Sequence, residues 1–243
     1  MTNTMIIAIV FYATLMSEMG LSMSNPTVLK VTFLKASQVD NGTEGIFGGE
    51  VAESHAYPWQ VRLRILRPQR EVGCGGSIIC PRFVLTAAHC VDRVTNINQL
   101  IVRAGINRLC GDPSEQRSVV NRITIHPNYI PLPTLTYDYA IIELRTPIII
   151  GEETRPIFLP LPNEPELSIR GTRFAASGWG RTETSNPPQN LRVISLYQYT
   201  PSECNVRNPS EFCAGQGEPG RGTCNGDSGG IKNYVVSQNS SYF

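Results

Sequence analysis

Three residues that are far apart in the sequence carry the groups needed for nucleophilic attack on a carbonyl carbon. Ser228 lies among glycines in the segment Gly226-Asp227-Ser228-Gly229-Gly230. Glycine tolerates unusual backbone angles, so the hydroxyl is expected to be accessible and the neighbouring amides can point into one concavity. An ordinary Asp-Ser-Gly turn is the alternative interpretation.

A base for the seryl proton is the second requirement of this chemistry. His89 follows the largely apolar residues 83–88 and precedes Cys90. This pattern predicts an imidazole at a strand end, held in place by a disulfide, as proton transfer requires. A histidine at a strand end is more often structural, and the other two histidines, His55 and His126, lie in turn-like segments.

An acid that orients the base is the third requirement. Asp138 precedes the apolar residues 140–144 and is either an exposed loop acid or a buried partner of an imidazole. Taken together, His89, Asp138 and Ser228 predict a catalytic triad, with the amides of Gly226 and Ser228 as an oxyanion hole.

Many short apolar segments separated by Gly, Pro and Asn are expected to position these residues. Several of them alternate in polarity or are rich in Val, Ile and Leu, for example residues 59–66, 100–105, 139–145 and 192–199. Such segments are typical of an all-β sandwich or barrel. The 18 prolines and 21 glycines also indicate many turns.

The composition excludes several classes of protein. The 243 residues carry a net charge of +1, and charged residues make up 17%, below the average for globular proteins. This balance disfavours wholesale disorder, and it disfavours a nucleic-acid binder, which needs a basic surface.

The N-terminal region predicts export from the cell. Residues 5–16 are apolar apart from Thr14, too short to span a bilayer but typical of a signal peptide over residues 1–22. A buried N-terminal helix or strand is the alternative. We therefore expect a secreted, extracellular protein without a membrane anchor. Asn41 and Asn239 head N-glycosylation sequons, which carry meaning only in such a protein.

The motifs around the three residues resemble the chymotrypsin/trypsin family of serine endopeptidases. The resemblance rests on residues 86–90 (TAAHC), 138–144 (DYAIIEL), 226–230 (GDSGG), 46–49 (IFGG), 57–61 (YPWQV), 74–77 (CGGS) and 178–180 (GWG). It implies two packed antiparallel six-stranded Greek-key β-barrels with the triad at their junction. It also implies a propeptide over 23–45, a peptidase domain over 46–243 and no cofactor or metal.

The resemblance further implies an activation switch and a specificity position. Cleavage before Ile46 would release an ammonium that pairs with Asp227, although Gly45 precedes the bond where the family has Arg or Lys. Gly222 occupies the floor of the primary pocket, which favours small or hydrophobic side chains over Arg or Lys. Expected partners are protein or peptide substrates, an activating protease and protein inhibitors. The protein itself is expected to be a monomer.

The seven cysteines are assigned by the same resemblance. It implies the disulfides Cys74–Cys90 and Cys204–Cys213 and leaves Cys224 without its partner. Cys80 and Cys110 are extra to the family pattern, and we predict that they pair with each other.

The C-terminal region departs from the family pattern after about residue 231. Only 15 residues follow Ser228, so we expect the second barrel to be incomplete. Truncation, alternative splicing and a frame error are the three origins that the sequence leaves open. Two functions remain open from the sequence. One is an active endopeptidase that works through an acyl-enzyme, and the other is a non-catalytic homologue that acts as a binding or regulatory protein or is an inactive fragment.

Overall fold

The computed structural model describes residues 49–68, 70–131, 135–157, 170–180, 188–204, 213–215, 228–229 and 232–234. These residues form eleven strands: β1 Glu50–Val51, β2 Gln60–Arg67, β3 Arg70–Cys80, β4 Phe83–Thr86, β5 Leu100–Ala104, β6 Gln116–Ile125, β7 Ala140–Leu144, β8 Arg173–Gly178, β9 Arg192–Tyr199, β10 Cys213–Gly215 and β11 Lys232–Tyr234. One short helix, α1 (Ala88–Val91), and two 3₁₀ turns, Ile97–Gln99 and Pro201–Cys204, accompany them. The predicted all-β class is confirmed.

A closed antiparallel barrel forms the first half of the described chain. Its strand order is β2-β3-β4-β7-β6-β5. In β2 the alternation predicted from the sequence is present, since Val61, Leu63 and Ile65 point into the core while Arg62 and Arg64 are partly exposed. Each fully buried aliphatic side chain contributes roughly 1.5–3 kcal/mol, so this core is a main source of the barrel's stability.

A second, five-stranded antiparallel sheet combines β1 with four strands that follow the barrel in the chain. Strands β1, β9, β8 and β11 are neighbours in that order, and β10 pairs with β9. Strand β8 pairs with β9 along its whole length, from Arg173 opposite Tyr197 to Gly178 opposite Arg192. A closed barrel beside a second antiparallel sheet fits the predicted two-barrel fold.

Buried contacts join the barrel to the second sheet. Trp179 is buried together with Ala52, Ile106 and Leu191. A buried side-chain hydrogen bond of 2.8 Å connects Ser177 on β8 with Gln60 on β2. These contacts cross the junction between the two sheets, where the sequence predicts the site. Within the described ranges, no helix is long and apolar enough to cross a membrane.

The predicted Cys80–Cys110 disulfide is wrong, because both residues are free thiols. Cys80 is buried, and its sulfur accepts hydrogen bonds from the amides of Arg82 and Phe83 in its own tight turn; burial raises the pKa of this thiol. Cys110 is exposed in a different segment, where the amide of Leu109 donates to the carbonyl of Gln189. The two cysteines therefore differ in burial and lie in different segments.

A charged cluster at the start of β6 ties this strand to β5. Glu115 pairs with Arg103 at 2.5 Å and with Arg117 at 2.7 Å, and Arg103 also donates to the carbonyl of Leu109 at 2.7 Å. Burial alone would raise the pKa of Glu115, but the hydrogen bonds from Arg117 and Arg103 outweigh it and lower the pKa to about 2.

Replacing Glu115 with glutamine is expected to destabilise the fold by about 2 kcal/mol at pH 7, because Arg103 keeps a half-satisfied charge. The folded pKa lies below the ordinary value of 4.5, so the carboxylate stabilises the fold above that value. This stabilisation is lost as the pH falls towards about 2. Urea unfolding should be measured at pH 7 and at low pH. The difference in the free energy of unfolding between Glu115→Gln and the unchanged protein should shrink as the pH is lowered.

The control is Glu71→Gln, which removes an ion pair with Arg64 whose side chains are 40% and 50% exposed. Such pairs contribute at most about 1 kcal/mol. An equal loss of stability in both variants would contradict the special role of Glu115.

Candidate active site

His89 is placed by the end of β4 and by a disulfide. Strand β4 ends at Thr86, and the chain turns directly into α1, which carries His89. The predicted Cys74–Cys90 disulfide is confirmed and ties α1 to β3, with the two Cα atoms 6.3 Å apart. The residues on either side of His89, Ala88 and Cys90, are buried, whereas the imidazole is 27% exposed. The ring is thus fixed at its base and remains partly exposed.

Asp138 lies directly against His89. One carboxylate oxygen accepts the main-chain N–H of His89 at 2.8 Å, and the other lies 2.6 Å from ring atom Nδ1. The Asp138 side chain is 14% exposed. Asp138 is therefore a partly buried acid in contact with the imidazole, and not an exposed loop acid. With Nδ1 donating to Asp138, Nε2 keeps its lone pair and can accept a proton.

Ser228 is attached to the first barrel through its main chain. The amide of Gly75 on β3 donates to the carbonyl of Ser228 at 2.7 Å. The carbonyl of Ser228 and Nε2 of His89 both contact the sulfur of Cys90, at 3.6 and 3.7 Å. That sulfur belongs to a disulfide and has no proton, so these are packing contacts. The main-chain carbonyl of Ser228 and Nε2 of His89 therefore contact the same sulfur atom.

The backbone conformation and close packing of Gly229 require a glycine after Ser228. Its φ of +83° is rarely adopted by residues with a side chain. A Cβ atom here would lie 2.3 Å from Oγ1 of Thr86 and 2.4 Å from the carbonyl oxygen of Gly75. Thr86 is itself held, because its hydroxyl donates to the same carbonyl at 2.8 Å. The backbone around Ser228 is therefore fitted closely against β3 and β4.

The sequence did not indicate the hydrogen bonds that Thr86 and Tyr129 make near the site. Thr86 lies inside an apolar segment, and nothing in its spacing indicated that its hydroxyl binds the strand next to Ser228. Tyr129 donates its hydroxyl to Asp92 at 3.0 Å, and burial, together with this hydrogen bond, raises the pKa of Tyr129. The phenol therefore stays protonated beside α1.

The two remaining histidines lie at turns, as predicted. His55 adopts a positive φ of 54° in an irregular segment before β2. His126 follows β6 and precedes a turn, but it is buried, which the sequence did not indicate.

Several predicted site residues lie outside the described residues: Asn41, Ile46, Gly222, Cys224, Gly226, Asp227 and Asn239. Cys213 is disulfide-bonded. The side chain of its predicted partner, Cys204, is not among those described, so this pairing stays a prediction.

In the described part of the chain, one cluster has metal-ligand spacing, formed by Cys74, His89 and Cys90. The disulfide between the two cysteines removes the thiolates that a metal would need.

Comparison with known proteins gives a consistent family. A family model described as Trypsin matches residues 46–231. The chain is similar to ovochymase-2 of Mus musculus, with 35% identity over 196 residues, covering 76% of this chain and 31% of that protein. It is similar to the clotting factor G beta subunit of Tachypleus tridentatus, with 31% identity over 203 residues, covering 76% of this chain and 64% of that protein.

A third relative is serine protease 7 of Drosophila melanogaster, with 32% identity over 209 residues, covering 76% of this chain and 53% of that protein. The chain thus spans less than two thirds of the length of these relatives. The matched region contains the closed barrel, strands β1, β8, β9 and β10 of the second sheet, and the segments that carry His89, Asp138 and Ser228. On this evidence, the chain belongs to the trypsin family of serine proteases.

Proposed function

We propose that the chain is a secreted serine endopeptidase in which Ser228, His89 and Asp138 form the catalytic triad. The observation that carries the proposal is the pair of contacts between Asp138 and His89, at 2.8 and 2.6 Å. One contact holds the main chain of the histidine and the other holds its ring. This is the arrangement that a general base needs, since both its position and its tautomer are set.

The proposed reaction proceeds through an acyl-enzyme. The Oγ atom of Ser228 forms a bond to the scissile carbonyl carbon as its proton moves to Nε2 of His89. The C–N bond then breaks, and the leaving amine takes that proton. Water repeats the sequence on the ester and restores Ser228. The amides of Gly226 and Ser228 stabilise the oxyanion, a contribution of roughly 3 kcal/mol for each donor.

The remaining features of the proposal concern export, activation and specificity. The Cys74–Cys90 disulfide favours an oxidising compartment, in line with the predicted signal peptide. Cleavage before Ile46 would create an ammonium for Asp227, and Gly222 would favour small or hydrophobic side chains in the primary pocket. Protein substrates, an activating protease and protein inhibitors are the partners proposed.

A fluorophosphonate probe tests the proposal, because it reacts only with an activated serine. We expect labelling after cleavage before Ile46, obtained by replacing residues 41–45 with the recognition sequence of a specific protease. Mass spectrometry should place the adduct on Ser228 and none on Ser202, an exposed serine in a 3₁₀ turn. Heat-denatured protein serves as the second control.

The alternative function is a non-catalytic homologue. A cleaved chain that is folded by circular dichroism but takes no label would contradict the endopeptidase and support that alternative. A label spread over several serines would contradict the assignment of Ser228 as the nucleophile.

A further inference from the structure

The segment that carries Asp138 contains two non-glycine residues in the left-handed region of the backbone map. Leu135 has a φ of 48° and Tyr137 a φ of 50°. Side-chain-bearing residues adopt this conformation rarely, and it persists where the surrounding structure holds it. Tyr137 directly precedes the acid, so whatever holds Tyr137 also sets the direction in which the chain enters Asp138.

The buried imidazole of His126 contacts the residues on both sides of Asp138. It stacks on Tyr137 with ring centroids 4.9 Å apart and planes inclined by 6°. It meets Tyr139 edge to face, with centroids 6.0 Å apart. Its main-chain N–H donates to the carbonyl of Tyr139 at 2.9 Å. One side chain, 6% exposed, therefore packs against both neighbours of the acid.

The ring of His126 is itself fixed by the turn that follows it. The amide of Asn128 donates to Nδ1 of His126 at 3.2 Å, and the amide of Tyr129 donates to the carbonyl of His126 at 2.9 Å. Burial lowers the pKa of His126, which keeps the ring neutral at neutral pH. A neutral, immobile ring is a suitable surface for a stacked tyrosine.

Asp138 depends on this support because both of its carboxylate oxygens are used on His89. Its angle relative to the imidazole is therefore set by the backbone at residues 137–139. A misplacement of about 1 Å in a catalytic arrangement can lower the rate about 100-fold. Small shifts of Tyr137 or Tyr139 would be passed directly to the contact with Nδ1.

We propose that His126 is a positioning residue that orients Asp138 towards His89 by holding Tyr137 and Tyr139. The inference rests on the proposed function, since it assigns a role within the same triad. His126 acts through Asp138 and is given no contact with substrate.

The test compares His126→Ala with His126→Phe in the full chain cleaved before Ile46. Phenylalanine keeps a flat ring that can stack on Tyr137 and loses both ring nitrogens, including the Nδ1 acceptor. We expect His126→Ala to lower kcat about 10- to 100-fold with KM changed less than about twofold. His126→Phe should keep kcat within about threefold of the unchanged protein. The control is His55→Ala, which removes a turn histidine outside this cluster and should leave kcat unchanged.

A second variant tests the proposal even if His126→Ala does not fold. Tyr137→Gly removes the stacked ring but suits the positive φ, so it relieves backbone strain while releasing the acid. It should lower kcat like His126→Ala while the unfolding midpoint stays the same or rises. A normal kcat in Tyr137→Gly, or a fall in His126→Phe as large as in His126→Ala, would overturn the proposal.

A spectroscopic measurement separates this proposal from the proposed function. The proton between Nδ1 of His89 and Asp138 should give a downfield ¹H resonance, because the two atoms are 2.6 Å apart. We expect this resonance to be lost or broadened in His126→Ala and kept in His126→Phe. The resonance does not require turnover, so it decides the role of His126 even if the unchanged chain takes no fluorophosphonate label. An unaltered resonance in His126→Ala would overturn the proposal.

Discussion

Replacing Asp138 with asparagine is expected to lower kcat by on the order of 10⁴-fold, the scale associated with the wrong histidine tautomer in serine-protease triads. Both oxygens of Asp138 accept hydrogen bonds from His89. Asparagine has one oxygen to offer. The main-chain N–H of His89 cannot change its role, so it keeps that oxygen, and the amide NH₂ is left facing Nδ1.

The consequence for the imidazole is a change of tautomer. Nδ1 must then accept a hydrogen bond, so the ring proton moves to Nε2. In that form Nε2 has no lone pair for the proton of Ser228. The geometry of the site stays nearly unchanged. We therefore expect a large fall in kcat, a small change in KM and a small change in the unfolding midpoint.

Steady-state kinetics on a peptide substrate checks this prediction, with thermal unfolding measured on the same samples. The matched control is Glu143→Gln on β7, the strand that follows Asp138. Glu143 pairs with Arg122 at 3.1 Å on a partly exposed surface, so its loss should change kcat less than twofold. A fall of less than tenfold in Asp138→Asn would show that Asp138 does not orient the base.

Replacing Gly229 with alanine is expected to destabilise the protein by about 3 kcal/mol or more and to abolish fluorophosphonate labelling of the folded fraction. The positive φ alone costs roughly 1–2 kcal/mol in a residue with a side chain. The new Cβ would also lie 2.3 Å from Oγ1 of Thr86 and 2.4 Å from the carbonyl oxygen of Gly75. Overpacking of this kind typically adds 1–3 kcal/mol.

The clash cannot be relieved by a side-chain rotation, because one of the two contacts is a backbone oxygen in β3. The chain at Ser228 and Gly229 must therefore move away from the barrel. Such a movement breaks the hydrogen bond from the amide of Gly75 to Ser228 and carries the nucleophile away from His89. Activity should be lost even in protein that remains folded.

Gly171→Ala is a close control for this experiment. Gly171 has a similar φ of +87°, but a Cβ atom there would meet nothing within 4 Å. It should cost about 1–2 kcal/mol from the backbone alone and leave labelling unchanged. Equal destabilisation in both variants, measured by urea unfolding, would contradict the steric argument for Gly229.

The fold class was predictable because it depends on short-range patterns. Alternating residues such as Val61, Leu63 and Ile65 bury one face of a strand wherever the strand is placed, so the sequence alone indicates a barrel or sandwich. Likewise, Cys90 next to His89 indicated a residue fixed at its base, and the structure confirms the disulfide to Cys74.

The prediction for Cys80 failed for the opposite reason. Counting cysteines treats two unassigned residues as partners, whereas a disulfide needs their Cα atoms within about 7 Å of each other. The tight turn after β3 directs the sulfur of Cys80 to the amides of Arg82 and Phe83. Spacing in the sequence contains no information about that direction.

Residue types and local patterns were enough to recognise the family motifs, the all-β class and the three residues whose chemistry fits peptide hydrolysis. The folded chain was needed to show that Asp138 contacts the ring and main chain of His89, that Gly229 is fitted against Thr86, and that His126 packs on both neighbours of Asp138. The physical reason is that residue type sets the chemistry of a side chain and its local backbone preference. The distances and directions between residues 49 positions apart, as for His89 and Asp138, arise only when the barrel closes.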